Sequence, residues 1–259
     1  MGVDTEPNKV YMLIGGTSGM GLSAARALVG AGHRVALLGR SPAKLDAALD
    51  ELGSGGVGFA GDATDSGASE SLLERALETW GRLDGLYHVA GGSGRNRGDG
   101  PVHELTDEGI EYTLDINLKS LLYSNRTAVR QFKAQGGGGV ILNMGSVLGY
   151  SPAAEHFCTH VYTATKAAVI GFTQSVAAKY APENIRANVI APALVETPMA
   201  QRATGDDIIM DFVTRKQPLD GGRISQPDDL DKTVLYLLTD ASKLVTGQVL
   251  AVDGGWSVS

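Results

Sequence analysis

Val10-Tyr11-Met12-Leu13-Ile14-Gly15-Gly16-Thr17-Ser18-Gly19-Met20-Gly21 decides the fold. Its first five residues are an unbroken apolar run, which predicts a strand buried on both faces, as in a parallel sheet. Glycines follow at once, and then Leu22, Ala25, Leu28 and Val29 recur at helical spacing. Strand, glycine turn and helix form the context in which such a motif binds a dinucleotide. The glycines permit a tight turn and close backbone approach, and the helix start offers free N–H groups to a pyrophosphate.

Working outward, Arg34-Val35-Ala36-Leu37-Leu38 reads as a second strand ending at Gly39-Arg40-Ser41. An acid at this strand end would hold the adenosine ribose hydroxyls; Arg40 stands there instead and suits a 2′-phosphate. This favours NADP, with NAD as the alternative. Lys44 to Leu52 reads as a helix, Gly56 to Ala60 as a weaker third strand closing on Gly61-Asp62-Ala63, and Leu72, Leu73, Ala76 and Leu77 mark another helix. Leu83 to Val89 is a fourth strand ending in Ala90-Gly91-Gly92. Thr106 to Gln135 reads as one long helix whose apolar stripe contains a polar residue, Asn117, and a buried amide must find partners.

Val140 to Met144 is a fifth strand before Gly145-Ser146, and Tyr162 to Tyr180 a helix with a small-residue face (Ala164, Ala167, Ala168, Gly171). Ile185 to Ala191 is a sixth strand ending at Pro192, Pro227 to Leu238 a helix, and Gln248 to Val252 a seventh strand before Asp253-Gly254-Gly255. The alternation predicts a doubly wound α/β fold of Rossmann type: a three-layer sandwich around a seven-stranded parallel sheet, with ligands at the carboxyl ends of the strands. No internal repeat or linker divides the chain, so residues 1–259 read as one domain.

Composition narrows the partners. With 22 Lys plus Arg against 29 Asp plus Glu, the net charge is −7, which argues against nucleic acid and anionic membrane. Cys158 is the single cysteine, so no internal disulfide forms and a reducing, cytoplasmic setting is expected. The polar N-terminus predicts no signal peptide, and no apolar run is long enough to span a membrane. His156, Cys158 and His160 are metal-ligand types that alternation would place on one side of an extended segment, but their two-residue spacing is no usual zinc pattern; no metal is expected.

Tyr162 and Lys166 are four apart, one helical turn on the same face. A phenol titrates near ~10, and an ammonium close by lowers that value. A shift of about three units, worth roughly 4 kcal/mol, would bring the tyrosine to working pH as a general acid or base.

Together these motifs resemble the short-chain dehydrogenase/reductase family over nearly the whole chain. Gly15 to Gly21 resembles its cofactor glycine motif, Asp62 its adenine-contacting acid, and Ala90-Gly91 the end of its fourth-strand motif. Asn117, Ser146, Tyr162 and Lys166 fall where the family places its catalytic tetrad. Pro192 and Thr197 resemble its motif after the sixth strand, and Asp253-Gly254-Gly255 its C-terminal signature. The resemblance implies cofactor contacts from Gly15, Thr17, Ser18, Gly19, Met20, Gly21, Arg40, Asp62, Ala63, Ala90, Gly91, Tyr162, Lys166, Pro192, Val195 and Thr197. Departures are Ile14, Gly145 and Ala193, the pair His88-Val89 in place of the asparagines that brace the sheet, and a longer connection from Ser146 to Tyr162.

The implied chemistry is hydride transfer between a nicotinamide and a small-molecule ketone or secondary alcohol, such as a 3-oxoacyl thioester or a polyol- or sugar-derived ketone. In it Tyr162 is the acid/base, Lys166 lowers its pKa and holds the nicotinamide ribose, Ser146 binds the substrate oxygen, and Asn117 positions a relay water. Residues 193–218 are implied to form a mobile lid, and a homotetramer is implied. The alternatives are an NAD-dependent alcohol or polyol dehydrogenase working oxidatively, and a non-catalytic cofactor sensor, against which the intact tetrad speaks. Arg95 and Arg97 sit in a glycine-rich loop, expected to move freely, on the substrate rim. Either they contact an anionic group of the substrate or they merely keep the loop solvated.

Overall fold

β1 (Val10–Ile14) is an interior strand of the sheet, and its five apolar residues are all buried because both faces are covered. Tyr11 and Leu13 point into one core with the helices α1 (Gly19–Gly30) and α2 (Pro42–Leu52). Val10, Met12 and Ile14 point into the other core with α3 (Ala68–Trp80). Burying one such side chain is worth about 1.5–3 kcal/mol, so a continuous apolar run is stable only where helices cover both faces. The computed structural model describes residues 8–259; the expectation for the N-terminal segment falls mainly on residues 1–7, outside them.

β2 (Arg34–Gly39), β3 (Gly56–Ala60), β4 (Gly85–His88), β5 (Gly139–Met144), β6 (Ile185–Pro192) and β7 (Val249–Val252) complete one parallel sheet in the order β3-β2-β1-β4-β5-β6-β7. The order reverses between β1 and β4, where Ile14 pairs with His88. The two connections leave this point in opposite directions, and a crevice opens above the strand ends. α4 (Asp107–Leu114), α5 (Ser120–Gln135), α6 (His160–Tyr180), α7 (Gln201–Thr204), α8 (Asp207–Lys216) and α9 (Asp231–Leu238) complete the layers. α5 and α6 join α3 on one face, and α9 joins α1 and α2 on the other.

Two elements differ from expectation. The helix expected over 106–135 is broken by a π turn, Asp115–Lys119, which turns Asn117 fully inward. Such wide turns cluster at functional sites because they re-aim a side chain that regular spacing would misplace. Pro227–Leu230 is a 3-10 turn leading into α9 rather than part of it.

His88 and Asn143 brace the strands to the helices. The ring of His88 hydrogen-bonds Ser124 at 2.8 Å, and burial, with Lys166 nearby, pushes its pKa down to about 3, so it is neutral. Asn125 Nδ2 donates to Asn143 Oδ1 at 2.9 Å, and Asn143 Nδ2 donates to Asn125 Oδ1 and to Thr173 Oγ1. Bracing therefore survives the departure at His88-Val89, with a histidine–serine pair in place of an amide.

Candidate active site

A single cleft of about 1040 Å³ runs along the strand ends from Arg40 and Asp62 to Ser146 and Tyr162. Its near wall is the turn after β1. Gly15 adopts φ +87°, and a Cβ there would lie 2.8 Å from the main-chain nitrogen of Ala90. A Cβ on Gly21 would meet the carbonyl of Gly15 at 2.2 Å. Only glycine lets α1 start this close to β1. Ser18, at the N-cap, makes no side-chain cap, and the first turn of α1 holds no acid. Its N–H groups are thus open to a phosphate, which is what a dinucleotide would need here.

Thr17, Ser18, Gly19, Met20, Arg40, Asp62, Ala63, Ala90, Gly91, Pro192, Val195 and Thr197 all line this cleft with Gly15, Tyr162 and Lys166. Gly21 lies beneath the turn rather than in the wall. Asp62 is held by an Asx turn, its Oδ1 accepting from Thr64 N at 2.9 Å and from the Thr64 hydroxyl at 2.8 Å. Arg40 is exposed at the cleft's far end, with Ser41 and Lys44 beside it in the lining.

At the other end the four residues of the expected tetrad converge. Ser146 and Tyr162 line this end of the cleft together, and the Ser146 hydroxyl also accepts from Leu148 N at 3.2 Å. Lys166 is buried, donates to the carbonyl of Met144 at 2.9 Å, and sits 5.6 Å from the centroid of the Tyr162 ring. Burial lowers the Lys166 pKa to about 8. Burial also pushes the Tyr162 phenol up, opposed by the nearby Ser146 side chain. The expectation that the ammonium brings the phenol down is thus not met within the chain alone: Lys166 is directed at Met144, and burial raises the phenol. Asn117 stands behind the wall rather than in it. Its Oδ1 accepts from Gly92 N at 3.0 Å, and its Nδ2 donates to Gly92 O and Thr113 O. It thereby ties the end of β4 to the π turn.

The loop after β4 is held, contrary to the freedom its glycines suggested. Asp99 is buried and accepts from the main chain of Val161 and Tyr162, and Arg97 pairs with Glu108 at 3.0 Å and lies over the Tyr112 ring. Arg97 is turned away from the cleft; Arg95 lines it. The segment before α6 is likewise not extended. Phe157 N bonds Glu155 O, Thr159 N bonds Phe157 O, and His156 has φ +60°, so His156, Cys158 and His160 do not share a side. The His156 ring packs on Phe212 at 5.3 Å, while Cys158 Sγ donates to Ala154 O. Among the described residues no cluster of three His, Cys, Asp or Glu could hold a metal.

Of residues 193–218, Ala193 to Val195 and Thr197 to Ala203 line the cleft. Ala203, Ile209 and Val213 bury against Val147, Leu148 and Trp256. Phe212 packs edge-on to Trp256 and beside Phe157. In this segment Met199 lines the cleft, Ile209 is buried and Ile208 is 71% exposed. Sequence reading missed Arg202, Phe157 and Trp256 as cleft residues and gave Asp99 no task. An acid set among glycines just before the Tyr162 helix was the available signal for Asp99; none marked the others.

Three comparisons bear on this geometry. A family model described as Enoyl-(Acyl carrier protein) reductase matches residues 15–257. The chain is 30% identical over 251 residues to cis-4-hydroxycyclohexanecarboxylate dehydrogenase of Sinomonas cyclohexanicum, covering 96% of each chain. It superposes on a short-chain type dehydrogenase/reductase from Mycobacterium ulcerans with a TM-score of 0.90 at 30% identity, covering 98% of this chain and 91% of that one. It also superposes on 3-ketoacyl-(acyl-carrier-protein) reductase from Brucella melitensis complexed with NADH, with a TM-score of 0.85 at 26% identity, covering 97% and 99%. With this match and the strand-end cleft, the chain belongs to the short-chain dehydrogenase/reductase family and is an NAD(P)-dependent oxidoreductase acting on CH–OH groups.

Proposed function

We propose that the chain is an NADP-preferring oxidoreductase that interconverts a small cyclic or otherwise compact ketone and its secondary alcohol. The observation that carries this reading is that Ser146, Tyr162 and Lys166 line one end of the same cleft whose far end holds Arg40. When bound, the nicotinamide exchanges a hydride with the substrate carbon. Gly15 to Met20 and the N-terminus of α1 hold the pyrophosphate, Arg40 with Ser41 and Lys44 the 2′-phosphate, Asp62 and Ala63 the adenine, and Pro192, Val195 and Thr197 the nicotinamide end.

Tyr162 gives its hydroxyl proton to the carbonyl oxygen in reduction and takes it back in oxidation. Ser146 donates a hydrogen bond to the oxygen as charge develops on it. Lys166, with a pKa of about 8, can hold or release a proton near working pH. Asn117 holds Gly91 and Gly92 in place. Both of its amide protons are engaged there, so a relay water would rest on Oδ1 or the main chain. Residues 193–218 act as a lid that excludes water from this chemistry.

The substrate wall is apolar where Leu148, Phe157, Met199 and Trp256 line it. That wall suits a hydrocarbon ring better than a polyol, and the name of the Sinomonas relative points the same way. Absorbance at the reduced-nicotinamide band tests the reading, over paired cyclic ketones and alcohols, polyols and 3-oxoacyl thioesters with both cofactors. Turnover of cyclic secondary alcohols with NADP above NAD is expected; no turnover on any pair would overturn it.

A further inference from the structure

Arg95 and Arg202 come from different elements, the loop after β4 and α7, yet both donate to one acceptor, the carbonyl of His156, at 3.1 and 2.9 Å. Among the described residues neither forms an ion pair. Of the nearby acids, Asp206 caps α8 through the N–H groups of Ile208 and Ile209, and Glu155 is exposed, 3.8 Å from the His156 ring. Two guanidinium groups therefore share one neutral oxygen, leaving most of their ten N–H donors unused.

The arrangement is built. His156 takes a left-handed backbone, φ +60°, which costs a non-glycine residue roughly 1 kcal/mol or more. Its ring is fixed edge-on to Phe212, and the Arg202 guanidinium lies over the Phe157 ring at 5.7 Å. Like charge held this close is unfavourable, and burial and Arg95 both lower the Arg202 pKa. An anion between the two would relieve that repulsion.

We infer that Arg95 and Arg202 receive an oxyanion carried by the substrate, best a carboxylate, at the end remote from its reacting carbon. Both line the cleft that contains Ser146 and Tyr162, so one molecule can meet both sites. A carboxylate matches the flat fork of a guanidinium in two parallel hydrogen bonds. In a chain of net charge −7, this pair also supplies the local attraction that an anionic substrate needs. Arg97, the other arginine of the loop, is excluded by its pairing with Glu108. The inference rests on the hydride-transfer reading for the identity of the reacting end.

The test is calorimetric titration of the whole protein saturated with NADP⁺. The probes are cyclohexanecarboxylate and its neutral isostere cyclohexanecarboxamide. The acid should bind about tenfold or more tightly than the amide, and the ratio should shrink at high salt. In Arg95→Gln and Arg202→Gln, singly and together, the ratio should fall toward one. Equal binding of acid and amide to the unmodified protein would overturn the inference without any variant having to fold. So would an acid preference that persists in the double variant, or loss of NADP⁺ affinity by the same factor, which would assign the pair to the cofactor. Absence of turnover on every ketone and alcohol would overturn the hydride-transfer reading instead, and the acid-to-amide ratio would still decide the anion site.

Discussion

Asp99 holds Tyr162 by its main chain: Oδ2 accepts from Tyr162 N at 2.9 Å while Oδ1 accepts from Val161 N at 3.0 Å. A buried carboxylate thus satisfies two of the free N–H groups at the start of α6 and meets the positive end of its dipole. α6 starts at His160, two residues before the sequence reading placed it, with this carboxylate bonded at its first turn. Asp99→Asn keeps the shape but removes the charge and one acceptor. It should cost about 1–3 kcal/mol, which for a chain of this size lowers the melting temperature by several degrees. Turnover should fall about tenfold or more through displacement of Tyr162, with cofactor affinity nearly kept. Calorimetry and steady-state kinetics check this; unchanged turnover would show that α6 is positioned without Asp99.

Tyr162→Phe removes only the hydroxyl. Turnover should drop by about 10²–10⁴ while cofactor affinity changes no more than a few-fold. Turnover within a few-fold of the unmodified protein would remove Tyr162 from the proton transfer.

Lys166 titrates at about 8 in the fold, against an ordinary 10.5. Below pH 8 both folded and unfolded chains hold the proton, and the folded state bears the full cost of the buried ammonium. From about 8 to 10.5 the unfolded chain binds a proton the folded chain has released, so this group makes stability rise with pH across that window. The shift corresponds to about 3 kcal/mol at most. Lys166→Met should therefore melt higher than the unmodified protein at pH 7, by an advantage that narrows toward pH 10, and should be inactive. Melting curves at a series of pH values would refute this if the gap were constant.

Arg40→Asp should shift the ratio of kcat/KM for NADP over NAD downward by about tenfold or more, since a carboxylate repels a 2′-phosphate and accepts from a 2′-hydroxyl. Kinetics with both cofactors decide it. A ratio that moves only when Lys44 is also replaced would place the selection on Lys44.

The small-residue face of α6 leaves Ala164, Ala167 and Gly171 exposed, and a Cβ on Gly171 would meet nothing within 4 Å. A close helix–helix contact between subunits of a homotetramer would account for a face of this kind. Light scattering should give a tetramer mass that Gly171→Arg reduces without unfolding the protomer. A monomer mass for the unmodified protein at micromolar concentration would contradict the assembly.

The sequence by itself determined the sheet. Continuous apolar runs such as Val10 to Ile14 are stable only where both faces are covered, and glycine at 15 and 21 permits one geometry of turn. Those are local constraints, and local spacing reads them. Helical spacing also put Tyr162 and Lys166 on one face, and the family resemblance set Ser146, at the end of a predicted strand, beside them. Tertiary structure alone decided the rest. The π turn that carries Asn117 inward arises because its amide finds Gly92, twenty-five residues away in the chain. The direction of the Lys166 ammonium depends on the carbonyl of Met144, and its pKa on burial that no neighbour in sequence reports. Asp99 acquired its task, and Arg95 its companion Arg202, only when segments some sixty and more than a hundred residues apart were folded onto the same cleft wall. Hydrogen bonds and charge pairs act through space, so periodicity along the chain carries no trace of them.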